Sequence, residues 1–356
     1  MLLMVYSSGM SAIGCIDNYS SLIWVRRSKK AGTFELQAPA TENNLMLIKK
    51  HNIIKKEDDS EIGYFTGFTI SSSEDGEVIS ATGNLYTGKL SQRVVTANAT
   101  TLYDIISNNL RGLDITLSST LQNIAITDNF IGYNLLEVLE TSAVINDFCF
   151  MCEFKGGSPV LKIYYGIDSS TEQTANNYCI FSDDYENLQE AEYSDSNEGV
   201  VNTVYARAVV PPGTEPCTPP TYDIVPSSGE RYEKYVQVDA VTYDLQITQA
   251  LEGGSVTITR TYLDSNATLE ALKTAAISEI VPVQQFFEGT VDFKHGYKSK
   301  FDLGDRITIF HNKWGITVSQ TITEVTETYD NQTNSIVPTF GNAKLTILDL
   351  IKKRGK

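Results

Sequence analysis

The hydrophobic period of this chain runs from strand-like to helical and back, and that alternation limits what it can fold into. Over residues 19–97 the apolar residues sit in short β-branched and aromatic runs separated by turn residues. Residues 19–27 and 33–38 read as strands across the turn Lys29-Lys-Ala-Gly32, and 51–55 as a further short strand. Residues 62–70 and 78–83 form another pair, with Asp75-Gly76 as the hairpin signal between them. The spacing then turns helical over 98–110, where Leu102, Ile105, Ile106 and Leu110 share a face, Asn98 is the expected N-cap and Gly112 follows the end. A second helix is expected over 134–145 on the stripe Leu135, Leu136, Val138 and Leu139. After it comes a hairpin of 148–154 and 160–165 across Lys155-Gly-Gly-Ser158. Residues 200–210, 232–242 and 255–262 read as strands and 267–280 as a helix. The end of the chain is β again, over 284–292, 305–310, 315–329 and 336–347.

This order predicts a mainly β protein with α+β parts: two barrel-like β domains, one at each end, separated by inserted α+β domains. The expected boundaries are 1–97 for the first β domain, 98–197 for an α+β domain, 198–283 for a second α+β segment, and 284–356 for the closing β domain. Five of the chain's 10 prolines lie in 211–220. A proline has no amide hydrogen to donate, so this stretch is an extended surface loop.

With 356 residues, 41% of them hydrophobic and 20% charged, the chain can bury more than one core. A net charge of -16 argues against a protein that grips nucleic acid by neutralising phosphates. No stretch approaches the roughly 18 apolar residues needed to span a bilayer, and the N-terminus lacks the basic start of a secretory signal. The 5 cysteines are odd in number and scattered, so a soluble protein made in a reducing cytoplasm is expected.

Groups that could carry chemistry are few. Cys149-x-x-Cys152 has a redox or zinc spacing, but it lies in a strand, where positions three apart point to opposite faces. Buried core cysteines are expected there. His51, His295 and His311 are the only imidazoles; His311 falls at a hairpin tip and His295 in a turn, and exposed surface residues are expected rather than a general base. Neither a nucleophile elbow nor a zinc-protease motif nor a phosphate-binding glycine loop occurs. No catalytic, cofactor or metal residue is therefore assigned. The acidic residues Asp183, Asp184, Glu186, Glu190, Glu192, Asp195 and Glu198 read as a solvated face, or as a face that repels a passing polyanion. The basic pairs Arg26-Arg27, Lys29-Lys30, Lys49-Lys50 and Lys55-Lys56 either meet an acidic partner or protect strand edges.

A family resemblance rests on ordered motifs. Gly32-Thr-Phe-Glu-Leu36 leads through Leu45-Met-Leu-Ile48, Asn52-Ile-Ile54, Gly63-Tyr-Phe-Thr-Gly67 and Val78-Ile-Ser-Ala-Thr-Gly-Asn-Leu85 to Leu90-Ser-Gln-Arg93. Phe301-Asp-Leu-Gly-Asp305 and Val337-Pro-Thr-Phe-Gly341 follow near the other end. The pattern resembles the tail hub, or baseplate hub, proteins of long-tailed phages and phage-derived contractile particles. It implies a homotrimer whose two barrel-like domains per subunit make a ring of six similar units, joining a six-fold tail tube to a three-fold tip. The implied neighbours are a tail-tube or distal tail protein, a spike or tip protein and a tape-measure protein. The implied location is the virion tail, assembled in the bacterial cytoplasm, with no membrane insertion. DNA would pass through without specific binding, with carboxylates facing the pore and the basic pairs turned away from it. Some hubs carry a further peptidase or lysozyme domain, whereas Lys356 directly follows the closing β region here. The alternatives to a structural hub are a tail-associated cell-wall peptidase or glycan hydrolase, and a carbohydrate-binding module.

Overall fold

The computed structural model describes residues 1–73, 76–126, 129–196, 201–209, 231–237, 242–249, 254–261, 284–290, 296–330 and 334–341. The expected 211–220 loop, the 267–280 helix, Asp75 and His295 lie outside these residues. The chain divides into two compact units. One is Met1–Tyr193 with Phe287–Ala343, and the other is Ser194–Phe286 with Lys344–Lys356.

In the first unit the N-terminal elements are β1 (Leu3–Tyr6), β2 (Ala12–Ile16), β3 (Ser21–Arg27), β4 (Thr33–Pro39), the short helix α1 (Glu42–Leu47), β5 (Ile53–Lys56), β6 (Ile62–Ser73) and β7 (Gly76–Leu85). Then come β8 (Thr116–Leu117), β9 (Cys149–Lys155), β10 (Ser158–Tyr164), β11 (Ile180–Ser182) and β12 (Gln189–Ser196). The second unit contributes β13 (Val201–Val209), β14 (Arg231–Gln237), β15 (Thr242–Gln249) and β16 (Gly254–Thr261). The closing strands are β17 (Gln284–Thr290), β18 (Arg306–His311), β19 (Ile316–Asp330) and β20 (Asn334–Gly341).

Among the described residues, thirteen of these strands form one large mixed sheet, ordered β12-β17-β20-β19-β3-β4-β7-β6-β5-β1-β2, with β18 on β19 and β11 parallel to β18. The sheet does not close into a barrel within the described residues, since β2 and β12 are its two ends. The N- and C-terminal β regions meet where β3 pairs antiparallel with β19, from Arg27↔Glu324 to Ser21↔Asp330. The second unit is a four-stranded sheet of order β14-β15-β13-β16. Here the single strand expected over 232–242 is replaced by β14 and the antiparallel β15.

Three cores follow from this layout. Leu3, Leu22, Trp24, Phe34, Leu36 and Phe65 form a core among the N-terminal strands. Phe181, Phe287, Phe301, Ile307, Ile322 and Phe340 pack beneath the closing strands. The third core joins β9 and β10 to the helices α2 (Leu102–Asn109) and α3 (Leu135–Ile145).

Helix α2 begins three residues later than its apolar spacing suggests. Thr101 Oγ1 accepts from the Asp104 amide at 3.1 Å and is the N-cap, while Asn98 Oδ1 accepts from Phe130 N at 3.5 Å. The cap of α3 is Asn134, closed by Glu137 into a reciprocal capping box. Strands β1 and β2 and the short helix Glu42–Leu47 carry no recognisable period, because each is too short to show one.

Glycines act at two positions within the motifs that carry the family resemblance. Gly304, at φ +94°, makes the tight turn into β18. Gly83 faces a β-bulge between Phe65 and Gly67, and a Cβ there would lie 2.3 Å from the Phe34 ring and from Tyr64 O.

Candidate functional site

The β3–β19 seam carries a cluster of buried charges. Arg26 and Glu327 come from the paired strands, Lys56 from the end of β5, Asp59 and Glu61 from the following turn, and Tyr297, Lys298 and Asp302 from the segment before β18. The Arg26 guanidinium donates to Glu61 Oε2 at 2.8 Å, Asp302 Oδ1 at 2.6 Å and Tyr297 Oη at 2.7 Å. Lys56 Nζ pairs with Glu327 Oε2 and, at 3.0 Å, with Asp59 Oδ2. Lys298 Nζ reaches the same Asp59 oxygen at 2.6 Å. Tyr297 and Tyr329 each donate to Glu327 at 2.8 Å, and Lys56 lies 5.0 Å above the Trp24 ring.

Desolvation opposes every charge here, and neighbours decide the outcome. Burial would lower the Arg26 guanidinium, but Glu61, Tyr297 and Asp302 reverse this and hold it well above its ordinary range. Burial would raise Asp59 and Glu327, yet Lys56 and Lys298 hold both below the usual carboxylate range. At Glu61 burial prevails over Arg26, and its carboxyl is pushed up. Mutual satisfaction is what makes such a cluster tolerable, and a single deletion leaves a buried charge unpaired.

Two residues expected on the surface therefore lie inside: Arg26 and Lys56 are each 2% exposed. They neither protect edges nor meet an outside partner, because four carboxylates converge on them and on Lys298. Arg27 bonds Glu324 at 2.6 Å and Lys29 bonds Asp147 at 2.5 Å, so these too face their own chain. Lys49 and Lys50 are exposed as expected.

The remaining candidates separate. Cys149 and Cys152 are buried in β9, as expected, and desolvation pushes the Cys149 thiol up to about 12 and the Cys152 thiol well above its ordinary value. His51 is exposed in a turn. His311, expected at the surface, is only 8% exposed, because its ring stacks on Trp314. Asp184 and Glu186 are solvated, whereas Asp183 accepts from Asn312 N at 3.0 Å. Glu198 lies outside the described residues. No group of three or more metal-ligating side chains that could hold an ion occurs among the described residues. No helix among them is long and apolar enough to cross a membrane.

A second feature escaped the sequence reading. Strand β5 pairs with β6 only from Ile53↔Tyr64 to Lys55↔Ile62, so β6 runs on past its neighbour. Beyond the bulge no described strand pairs with its outer edge. Phe68 and Ile70 on this overhang are 41% and 48% exposed, and Val78 on β7 is 36% exposed. An apolar, unpaired edge is a site for another chain unless it is protected.

Solved structures of tail proteins share the fold. The tail protein from Neisseria meningitidis MC58 aligns at a TM-score of 0.60 and 10% identity, over 96% of each chain. The 43 kDa tail protein of prophage MuSo2 from Shewanella oneidensis aligns at 0.57 and 13%, over 96% of this chain and 98% of that one. Prophage tail protein gp18 from Listeria monocytogenes EGD-e aligns at 0.54 and 11%, over 100% and 98%. At these identities the likeness shows the fold alone. No curated protein sequence matches the chain. The family model described as siphovirus ReqiPepy6 Gp37-like protein matches residues 2–113 and 104–342, spanning both β regions and the seam between them. The chain belongs to the siphovirus ReqiPepy6 Gp37-like protein family.

Proposed function

We propose that this chain is a structural, non-enzymatic hub at the distal end of a phage tail, adapting a six-fold tube to a three-fold tip. The observation that carries this reading is the open sheet: its N- and C-terminal strands are locked together at β3–β19, while the overhang of β6 leaves an apolar edge uncovered. Family membership and the fold shared with tail proteins support it. The subunits form a homotrimer in which neighbouring chains complete two barrel-like domains per subunit. Residues 1–97 and 284–356 supply these domains, the first facing the tube, while 98–197 and 198–283 are inserted α+β parts. The neighbours are a tail-tube or distal tail protein, a spike or tip protein and the tape-measure protein. The protein resides in the virion tail after assembly in the host cytoplasm. DNA passes without specific binding, past a lumen faced by carboxylates.

Imaging of the assembled particle tests this reading, with Phe68→Asp and Ile70→Asp as variants. The expected result is threefold order, and incorporation lost in the variants while the isolated chain still folds. A two-fold or six-fold ring of this chain would overturn it. So would cell-wall digestion by the purified chain that disappeared on His51→Ala, His311→Ala, or Cys149→Ser with Cys152→Ser.

A further inference from the structure

The tip of the β18–β19 hairpin is tied to the turn after β11 by the Asn312 amide on Asp183, beside an imidazole whose Nδ1 makes no hydrogen bond. His311 is 8% exposed, and its Nδ1 has no hydrogen-bond partner although Asp183 Oδ2 lies 3.6 Å away. The ring lies flat on Trp314, with centroids 3.7 Å apart and planes 9° from parallel. Asp183 is already positioned. Its Oδ1 accepts from Asn312 N at 3.0 Å, and Asn187 braces the turn by bonding Ser182 N and Ile180 O, each at 2.8 Å. Two aromatic residues complete the surroundings: Phe287 lies 6.2 Å from Trp314, and Tyr193 packs on Phe287.

We propose that His311 is a proton-operated clasp, which on protonation draws the hairpin tip at 312–315 onto the 183–187 turn through a charge-assisted bond to Asp183.

The chemistry follows from the groups present. A neutral imidazole presents one donor and one acceptor, whereas the imidazolium donates from both nitrogens. Protonation therefore places a donor opposite Asp183 whichever nitrogen faces it, and converts a long contact into a charged hydrogen bond. The same proton puts a cation over the Trp314 indole, an attraction the neutral ring lacks. The charged residues on the two facing segments are Asp183, Asp184 and Glu186 in the turn and Lys313 in the tip. The nearby aromatic side chains of β12 and β17, Tyr193 and Phe287, bring no charge. Histidine is the side chain that ordinarily changes charge between about pH 5 and 8, so the clasp is tight in mild acid and slack in mild base.

Trp314 reports on this directly, because a stacked imidazolium quenches indole emission more than imidazole does. The other tryptophan, Trp24, is fully buried. Emission of the full chain is expected to fall as the pH is lowered from about 8 to about 5, and Trp314→Phe removes the titrating part. His311→Gln flattens the curve, and Asp183→Asn moves its midpoint to lower pH. Hydrogen exchange at the Asn312 amide, corrected for intrinsic chemistry, slows about tenfold in acid. Should His311→Gln not fold, the ring resonances of wild-type His311 decide by NMR. Titration in this range supports the clasp, and a ring that stays neutral at about pH 5 overturns it. Flat emission in the wild type, a titration that survives His311→Gln, or a midpoint unmoved by Asp183→Asn would each overturn it as well.

Discussion

Arg26 Nε donates to Glu61 Oε2 across 2.8 Å in a site where both side chains are buried, and the same guanidinium holds Asp302 and Tyr297 on a segment 271 or more residues away in sequence. These bonds lie at the seam where β3 pairs with β19 and joins the two ends of the chain in one sheet. Removing the guanidinium strands Glu61 and Asp302, so Arg26→Met is expected to cost about 3–5 kcal/mol, measured by urea unfolding. Replacing the pair together, Arg26→Met with Glu61→Leu, is expected to recover a large part of that loss. Equal losses in the single and double variants would show that the ion pair does not hold the seam.

The acid response of the seam has a definite sign. Asp59 and Glu327 titrate below their ordinary range in the fold, so the stability they supply is present above an unfolded value of about 4 and is lost as the pH falls toward their lowered values. Glu61 has the opposite sign. Its raised value means that its contribution is full below about pH 4 and is lost as the pH rises through that value. Glu327→Gln is therefore expected to flatten the loss of stability below about pH 4, read by denaturant unfolding at several pH values. An unchanged slope would count against this cluster as its source.

Gly83 has no room for a side chain. Gly83→Ala places a methyl group 2.3 Å from the Phe34 ring and Tyr64 O and is expected to destabilise by about 3 kcal/mol. Gly156, at φ +61° with open space around it, is expected to accept Asn at a cost below about 1 kcal/mol. Thermal unfolding of the two variants checks the contrast.

Thiol reactivity follows burial. Cys149, pushed up to about 12, and Cys152, which is fully desolvated, should resist alkylation in the native chain near pH 8, as should Cys179, pushed up to about 11. The half-buried Cys15 is expected to label first among the four described cysteines, as peptide mass spectrometry would show. Labelling of Cys152 before denaturation would mean that β9 opens on its own.

Much of the architecture was legible because it is local. Strands β3, β4, β6 and β7 and helix α3 appear where their periods and turn residues place them. The turn at Gly304 follows from the same kind of signal, since a positive φ is a property of a few adjacent residues. Strand β1 was not legible. A four-residue apolar run looks the same at a disordered terminus as in the middle of a sheet, and only its pairing with β2 and β5 makes it a strand. His311 was misread for a similar reason, because its burial depends on Trp314 folding back onto it.

The sequence by itself determined the family, the predominance of strands, and the placing of two β regions at the ends of the chain. Only the tertiary structure decided that those regions share one sheet and that Arg26 and Lys56 face inward rather than toward water. Local pattern reports secondary structure because backbone geometry repeats every two or 3.6 residues. The burial of a charge depends instead on partners such as Glu327, 271 residues from Lys56, and nothing in the local sequence specifies a partner at that distance.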